Sequence, residues 1–92
     1  MKIAYDPAKR QATLTDRGID FEDAALVFAG RTIEDEDTRF AYGERRIQTV
    51  GYLHARMVMV VWTKRGDARH VLSMRKCNER EQARYKERLE EN

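Results

Sequence analysis

The stretch that decides the fold is Met57-Val58-Met59-Val60-Val61-Trp62-Thr63, followed by Lys64-Arg65-Gly66-Asp67 and then Ala68–Arg75. The first segment is apolar from Met57 to Trp62 without alternation. A strand with that pattern has both faces buried, so it belongs at the centre of a sheet. Lys64-Arg65-Gly66-Asp67 has the polar, glycine-bearing composition of a hairpin turn. Ala68–Arg75 therefore returns beside the central strand as the last strand. On the other side, His54-Ala55-Arg56 reads as a turn, and Arg45–Leu53 as a further strand with Gly51 as a bulge position.

Working outward to the start of the chain, Lys2–Tyr5 has strand character. Asp6-Pro7 is a helix N-cap followed by proline at the first helical position. That helix should run from Pro7 to about Asp16 and stop at Gly18. Asp20 caps a second helix, whose apolar stripe Phe21, Ala24, Ala25 and Phe28 follows helical spacing and marks core. Gly30 ends it. Glu34–Asp37 is an unbroken acidic run. It reads as a solvated turn before the strands, or as a docking surface for a basic partner. At the other end, Asn78 and Glu81 have the spacing of a capping box for a helix from Glu79 to about Leu89. Its apolar side, Ala83, Tyr85 and Leu89, is thin, so loose packing or reliance on a partner is expected. The order is strand, two helices, three or four antiparallel strands, helix. This is a single α+β domain over residues 1–92, with helices against one face of a curved antiparallel sheet.

Composition limits the function. The chain has 92 residues, 41% hydrophobic and 37% charged. A chain of this size buries about 60–65% of its unfolded surface, so the core is small. The longest apolar runs are Ala24–Ala29 and Met57–Trp62, far short of the roughly 20 residues a membrane span needs. No signal-peptide core follows Met1, and the lone Cys77 excludes an intramolecular disulfide, so a cytoplasmic protein is expected. The net charge of +2 hides an asymmetry. Residues 1–44 carry six Lys/Arg against ten Asp/Glu, a net −4, and residues 45–92 carry twelve against six, a net +6. The second half suits an anionic partner, of which nucleic acid is the commonest large example.

No metal or cofactor is expected: His54 and His70 lack ligand spacing, and no phosphate-binding loop or nucleophile elbow occurs. Cys77 has basic neighbours, but a small half-buried residue at a helix start is the simpler reading. What stands out is the basic group Lys64, Arg65, Arg69, His70, Arg75 and Lys76, opposed by the single acid Asp67. Strict alternation places Arg69, Val71, Ser73 and Arg75 on one strand face and His70, Leu72 and Met74 on the other. Arg69 and Arg75 would then lie about 20 Å apart, a span suited to several nucleotides. Such groups fit RNA cleavage, in which a 2′-oxygen attacks the adjacent phosphate and negative charge accumulates. Guanidinium groups stabilise that charge, and His, Glu or Tyr side chains move protons. Plain RNA binding uses similar basic hairpins.

Three stretches resemble a known family. They are Tyr5-Asp6-Pro7-Ala8-Lys9 with Gly18-Ile19-Asp20-Phe21-Glu22-Asp23-Ala24 and Val27-Phe28; Glu44 and Arg46 followed by Gly51; and Val60-Val61-Trp62-Thr63 with Val71-Leu72-Ser73-Met74-Arg75-Lys76, Glu81 and Tyr85. In this order they resemble the BrnT family, the toxin half of a type II toxin–antitoxin pair. The resemblance implies a RelE-like fold and a metal-independent endoribonuclease that arrests translation. It also implies a BrnA-like antitoxin that silences the toxin in a heterotetramer and carries the only contact with operator DNA. The catalytic candidates are Arg75, Arg46, His70, Glu81 and Tyr85; Lys9, Arg65, Arg69 and Lys76 are candidate RNA contacts. Each has a simpler alternative: an ion pair for Arg75, a solvated position for Arg46, core for His70, helix capping for Glu81 and an apolar anchor for Tyr85. The chain departs from the family pattern at Thr13, Asp16, Arg17, His70 and Cys77-Asn78. The competing reading is therefore an antitoxin-binding partner without nuclease activity.

Overall fold

A computed structural model describes residues 1–91. The elements are β1 (Lys2–Tyr5), α1 (Pro7–Arg17), a 3-10 turn (Phe21–Asp23), α2 (Ala24–Ala29), β2 (Ile33–Asp37), β3 (Arg46–Leu53), β4 (Arg56–Arg65), β5 (Ala68–Lys76) and α3 (Glu79–Glu90). The strands form one sheet in the order β1-β5-β4-β3-β2. β1 runs parallel to β5, and every other pair is antiparallel. The α+β class expected from the sequence is the one observed, but the sheet is five-stranded and mixed rather than wholly antiparallel. No helix among the described residues is long and apolar enough to cross a membrane.

Local chemistry explains where the helices begin and end. The Asp6 carboxylate accepts from the Ala8 amide at 2.9 Å, and Pro7 starts α1 without forfeiting a hydrogen bond. Gly18 closes it at φ +68°, donating its N–H to the Leu14 carbonyl. Asn78 and Glu81 form a reciprocal capping box at the start of α3. The second helix departs from expectation. It opens with the 3-10 turn, which rotates the stripe so that Val27 is fully buried and Ala25 is exposed.

The two faces of the sheet carry separate cores. On one, Ile19, Phe21, Ala24 and Val27 pack against Leu53, Val58, Val60, Trp62, Val71 and Met74. Trp62 donates its indole N–H to Thr49 Oγ1 at 2.8 Å, so its polar atom is satisfied inside this core. On the other, Tyr85 and Leu89 of α3 pack against Ile33, Val50, Met57, Met59 and Cys77. The helices therefore flank both faces. α3 is firmly seated, with Tyr85 and Leu89 buried and Ala83 exposed, against the loose packing its thin apolar side suggested.

The acidic run is also not a turn. Ile33–Asp37 is an edge strand, paired with β3 from Ile33↔Val50 to Asp37↔Arg46. Its buried ends, Ile33 and Asp37, face the α3 side. Two of the three charges between them find partners, Glu34 accepting from Thr49 across the strands and Glu36 from Arg45. Charge on an exposed edge also discourages pairing with foreign strands.

Gly51 makes no bulge. A side-chain carbon there would lie 2.9 Å from Val27 Cγ1 and 3.2 Å from the Arg31 carbonyl. The glycine is what lets α2 lie directly on β3. Gly51→Ala should destabilise the fold by about 1–3 kcal/mol through overpacking. Urea unfolding measures this, and an unchanged midpoint would show that α2 can shift freely.

Candidate active site

The irregularity in the sheet lies in β5. Trp62 pairs with Val71, but its neighbour Val61 pairs with Ser73. Leu72 is thus an extra residue, a β-bulge that moves everything after it to the opposite face from the one alternation assigns. Arg69, Val71, Met74 and Lys76 point to the α1/α2 side, while His70, Ser73 and Arg75 share the α3 side. The expectation that Arg69 and Arg75 share a face is therefore overturned, as is the grouping of His70 with Met74.

Pairing across the strands arranges the α3 side in rows. Asp37 of β2 and Arg46 of β3 are partners, and Thr63 of β4 and His70 of β5 are partners at the same level of the sheet. The next row is Asp35, Gln48, Val61 and Ser73, and the next Ile33, Val50, Met59 and Arg75. The α3 side chains Tyr85 and Leu89 sit on the apolar rows that begin at Ile33. The two rows beyond them are mostly polar, with Val61 as their one apolar side chain, which packs against this core. Arg46 and His70 lie two strand spacings apart, roughly 10 Å, and His70 lies about 13 Å along the sheet from Arg75.

Arg75 is fixed by geometry. Its Nη1 and Nη2 donate to Glu81 Oε1 and Oε2, each at 2.7 Å, and Nη2 also reaches Met59 Sδ at 3.4 Å. Glu81 accepts in addition from the Asn78 amide at 2.9 Å. The capping box and the ion pair thus share one carboxylate, which lashes the end of β5 to the start of α3. Glu81 is held down at about 2, chiefly by the Arg75 hydrogen bonds and against the opposing effect of burial. Arg75 is correspondingly raised, first by Glu81, with the charge of Arg39 among the opposing influences. A carboxylate with both oxygens engaged and so low a pKa is a poor proton acceptor near neutrality. Glu81 acts on Arg75 rather than on a reacting group.

The remaining candidates occupy distinct settings. Arg46 is half-buried, with its guanidinium 4.0 Å from the centre of the Tyr42 ring. His70 is half-buried with its pKa lowered, first by burial and then by the Arg65 charge, while Glu44 and Asp6 act in the opposite sense. Lys9 on α1 also bears on it electrostatically. Arg65 pairs with Glu44 at 3.2 Å. Arg46, His70 and Arg65 lie on this face of the sheet. Tyr85 lies inside the second core with Leu89, so its placement is that of an anchor for α3.

Two candidates are not brought to this face. Arg69 lies over Phe28 and Trp62, 4.0 and 5.1 Å from the ring centres. Lys76 lies opposite Val58 and, with Arg17 and Ile19, lines a cleft beside α1. The Nε atoms of Arg46 and Arg69 are both buried without a hydrogen-bond partner. Both arginines stack on aromatic faces, an arrangement in which cation–π attraction offsets part of the missing hydrogen bond. Cys77 is buried and its thiol is pushed up to about 11 by desolvation, which makes it inert.

Sequence reading missed the segment after β2. Asp37, buried at 5% exposure, accepts from Arg39 Nε and Nη2, both at 2.9 Å, and from the Tyr42 hydroxyl at 3.0 Å. This clamp presents Tyr42 to Arg46. The signal available was Arg39-Phe40-Ala41-Tyr42, basic and aromatic residues interleaved directly after the acids.

The Glu81 pair has a pH consequence. A folded-state pKa of about 2, below the usual 4.5, stabilises the fold above pH 4.5, and the contribution fades as pH falls towards 2. Urea unfolding of the parent and Glu81→Gln should diverge at neutral pH and converge in acid. A gap that does not vary with pH would mean the charge on Glu81 adds nothing.

A family model described as "Ribonuclease toxin, BrnT, of type II toxin-antitoxin system" matches residues 5–81. A search of curated proteins gave no match. The matched span runs from the last residue of β1 to Glu81 itself, taking in every strand of the open face. The chain belongs to the BrnT family of ribonuclease toxins of type II toxin–antitoxin systems.

Proposed function

We propose that this BrnT protein is a metal-independent endoribonuclease with a RelE-like catalytic face, acting in the cytoplasm to arrest translation until a BrnA-like antitoxin covers it. In this reading toxin and antitoxin form a heterotetramer, and only the antitoxin touches operator DNA. The observation that carries the reading is that Arg46, His70 and Arg75 share one sheet face, Arg46 and His70 on its most polar row and Arg75 at the edge of the part that α3 covers. That arrangement depends on the bulge at Leu72.

The chemistry divides among these groups. A 2′-hydroxyl attacks the neighbouring phosphorus, the bond to the 5′-oxygen breaks, and a 2′,3′-cyclic phosphate is left. Arg75 and Arg46 supply fixed positive charge to the phosphate oxygens as their negative charge grows. His70, whose pKa is lowered, is neutral near pH 7 and accepts the proton of the attacking hydroxyl. Water at the open rim returns a proton to the departing 5′-oxygen. Glu81 is a positioning residue that holds Arg75, and Tyr85 holds α3 and hence Glu81. Arg65 and Lys9 border His70 and contact flanking phosphates. Arg69 and Lys76, on the other face, are left to structural duty and to remote RNA contacts.

The first test is incubation with end-labelled RNA in EDTA. The parent should cut, and Arg75→Ala should lose about two orders of magnitude, the usual cost of deleting a transition-state donor. Equal cutting by both would remove Arg75 from the mechanism. If neither cuts free RNA but the parent blocks a cell-free translation reaction, cleavage requires the ribosome; if neither does anything, the nuclease reading fails.

The second test is the pH profile. With His70 as proton acceptor, cleavage should rise from acid and level off, with its midpoint below the ordinary histidine value of 6.5. His70→Gln should abolish that limb. A profile unaltered in the variant would assign the proton transfer elsewhere.

A further inference from the structure

Phe40 is the most exposed of the large apolar side chains, at 70%. It sits in residues 38–45, the connection from β2 to β3, whose conformation is set by the Asp37 clamp. Besides Arg39 and Tyr42 side chains, that carboxylate accepts the Arg39 backbone N–H at 3.2 Å. A loop fixed by a buried acid does not need an outward phenylalanine for its own stability, and no core cluster includes Phe40.

The surroundings of the ring indicate what covers it. Phe40 meets Tyr42 edge to face, with centres 5.8 Å apart and planes at 75°. On its own side Tyr42 carries the Arg46 guanidinium at 4.0 Å. The sequence of groups is therefore Phe40, Tyr42, Arg46, leading onto the row that holds His70. The loop leaves β2 at Asp37, whose cross-strand partner is Arg46, so it begins at the end of the row that holds Arg46. An exposed apolar ring one aromatic step from the Arg46 guanidinium, which makes no ion pair among the described residues, matches a ligand that is planar on one part and anionic on the next. An unpaired nucleotide has that composition: its base stacks on an aromatic ring and its phosphate meets guanidinium.

Building on the ribonuclease reading, we infer that Phe40 and the adjoining Tyr42–Arg46 stack form a base-stacking subsite that seats an unpaired nucleotide beside the cleavage centre. The subsite selects single-stranded RNA, because a base within a duplex offers no free face. It is tolerant of base identity, since every base has a π-face.

The test uses a fluorescent single-stranded RNA bearing 2′-fluoro groups throughout, which lacks the attacking hydroxyl and cannot be cleaved. Its affinity is measured by anisotropy at several salt concentrations for the parent, Phe40→Ala, Phe40→Leu, Phe40→Trp and Arg46→Ala. Phe40→Ala and Phe40→Leu should weaken binding by about tenfold, within the range for loss of one stacked base. The slope against salt should not change, because no charge is removed. Phe40→Trp should bind at least as well as the parent. Arg46→Ala should weaken binding and reduce the slope by about 0.7, the value for one phosphate contact on a single strand. Thermal melting of Phe40→Ala should match the parent.

Parent affinity retained within about twofold in Phe40→Ala would overturn the subsite while cleavage by the parent left the nuclease reading intact. Equal loss in Phe40→Trp would overturn it as well. A Phe40→Ala variant that keeps its RNA affinity but loses antitoxin binding would assign the ring to the protein partner instead. A parent that binds no probe, cuts no RNA and leaves a cell-free translation reaction running would overturn both readings together, whereas absent probe binding with blocked translation would overturn the subsite alone.

Discussion

One extra residue in β5 determines how the rest of this molecule is used. Leu72 has no partner on β4, and the pairing slips there from Val71 to Ser73. Without the slip, strict alternation would put Arg75 on the face occupied by α1 and α2 and Met74 on the face of α3. The first core would then lose Met74, which is fully buried in it, and gain a guanidinium in its place. With the slip, one strand feeds Val71 and Met74 into one core and presents His70, Ser73 and Arg75 to the other side. The bulge therefore sets the packing of one face and the polar groups of the other together. Because a one-residue change of register inverts every side chain beyond it, no gradual adjustment of the strand could achieve the same.

The charges that result are held by different means. Arg75 is gripped by a carboxylate that also caps α3, so its position is tied to the seating of a whole helix. Arg46 is held by stacking, against a tyrosine that is itself oriented by a buried aspartate. A stacked guanidinium keeps its full charge available, whereas one paired with a carboxylate is partly neutralised. Arg75 is engaged by Glu81, and Arg46 makes no ion pair among the described residues. The two arginines are thus held by different means on one face, Arg46 by stacking and Arg75 by a carboxylate and the helix it caps.

How much of this was legible depended on whether the signal was local. Asp6-Pro7, Gly18 and the Asn78/Glu81 pair are self-contained capping devices, and the helices begin and end where they indicate to within a residue or two. The apolar run from Met57 to Trp62 likewise could only be a central strand. By contrast, Glu34, Asp35 and Glu36 resemble a solvated turn, because what makes them a strand is the pairing of Ile33 and Asp37 with a β3 lying elsewhere in the sequence. Leu72 is an ordinary β-residue among ordinary β-residues, so nothing local marks it as unpaired, and the faces of Arg69, His70 and Arg75 were misassigned in consequence. The candidate site residues were picked out through family resemblance, while their grouping on the two faces of the sheet was not legible. Arg69 and Lys76 sit in the same basic run as Arg75 yet belong to the other side of the sheet.

The division of the α3 face has its own physical logic. Val50, Met57 and Met59 require a cover, and the short apolar side of α3, Tyr85 with Leu89, provides it. Further along the same strands the residues turn polar: Asp35, Gln48 and Ser73, then Asp37, Arg46, Thr63 and His70. A sheet face can remain open to water only where its side chains tolerate water. The polarity of these rows and the thinness of the α3 apolar side therefore belong to one arrangement. Were the rows apolar, the helix would have to be broader to cover them, and the face would be closed to a ligand. Thr63 illustrates the cost. It is almost fully buried in a polar row, and its hydroxyl is satisfied by donating to the Arg45 carbonyl at 2.7 Å.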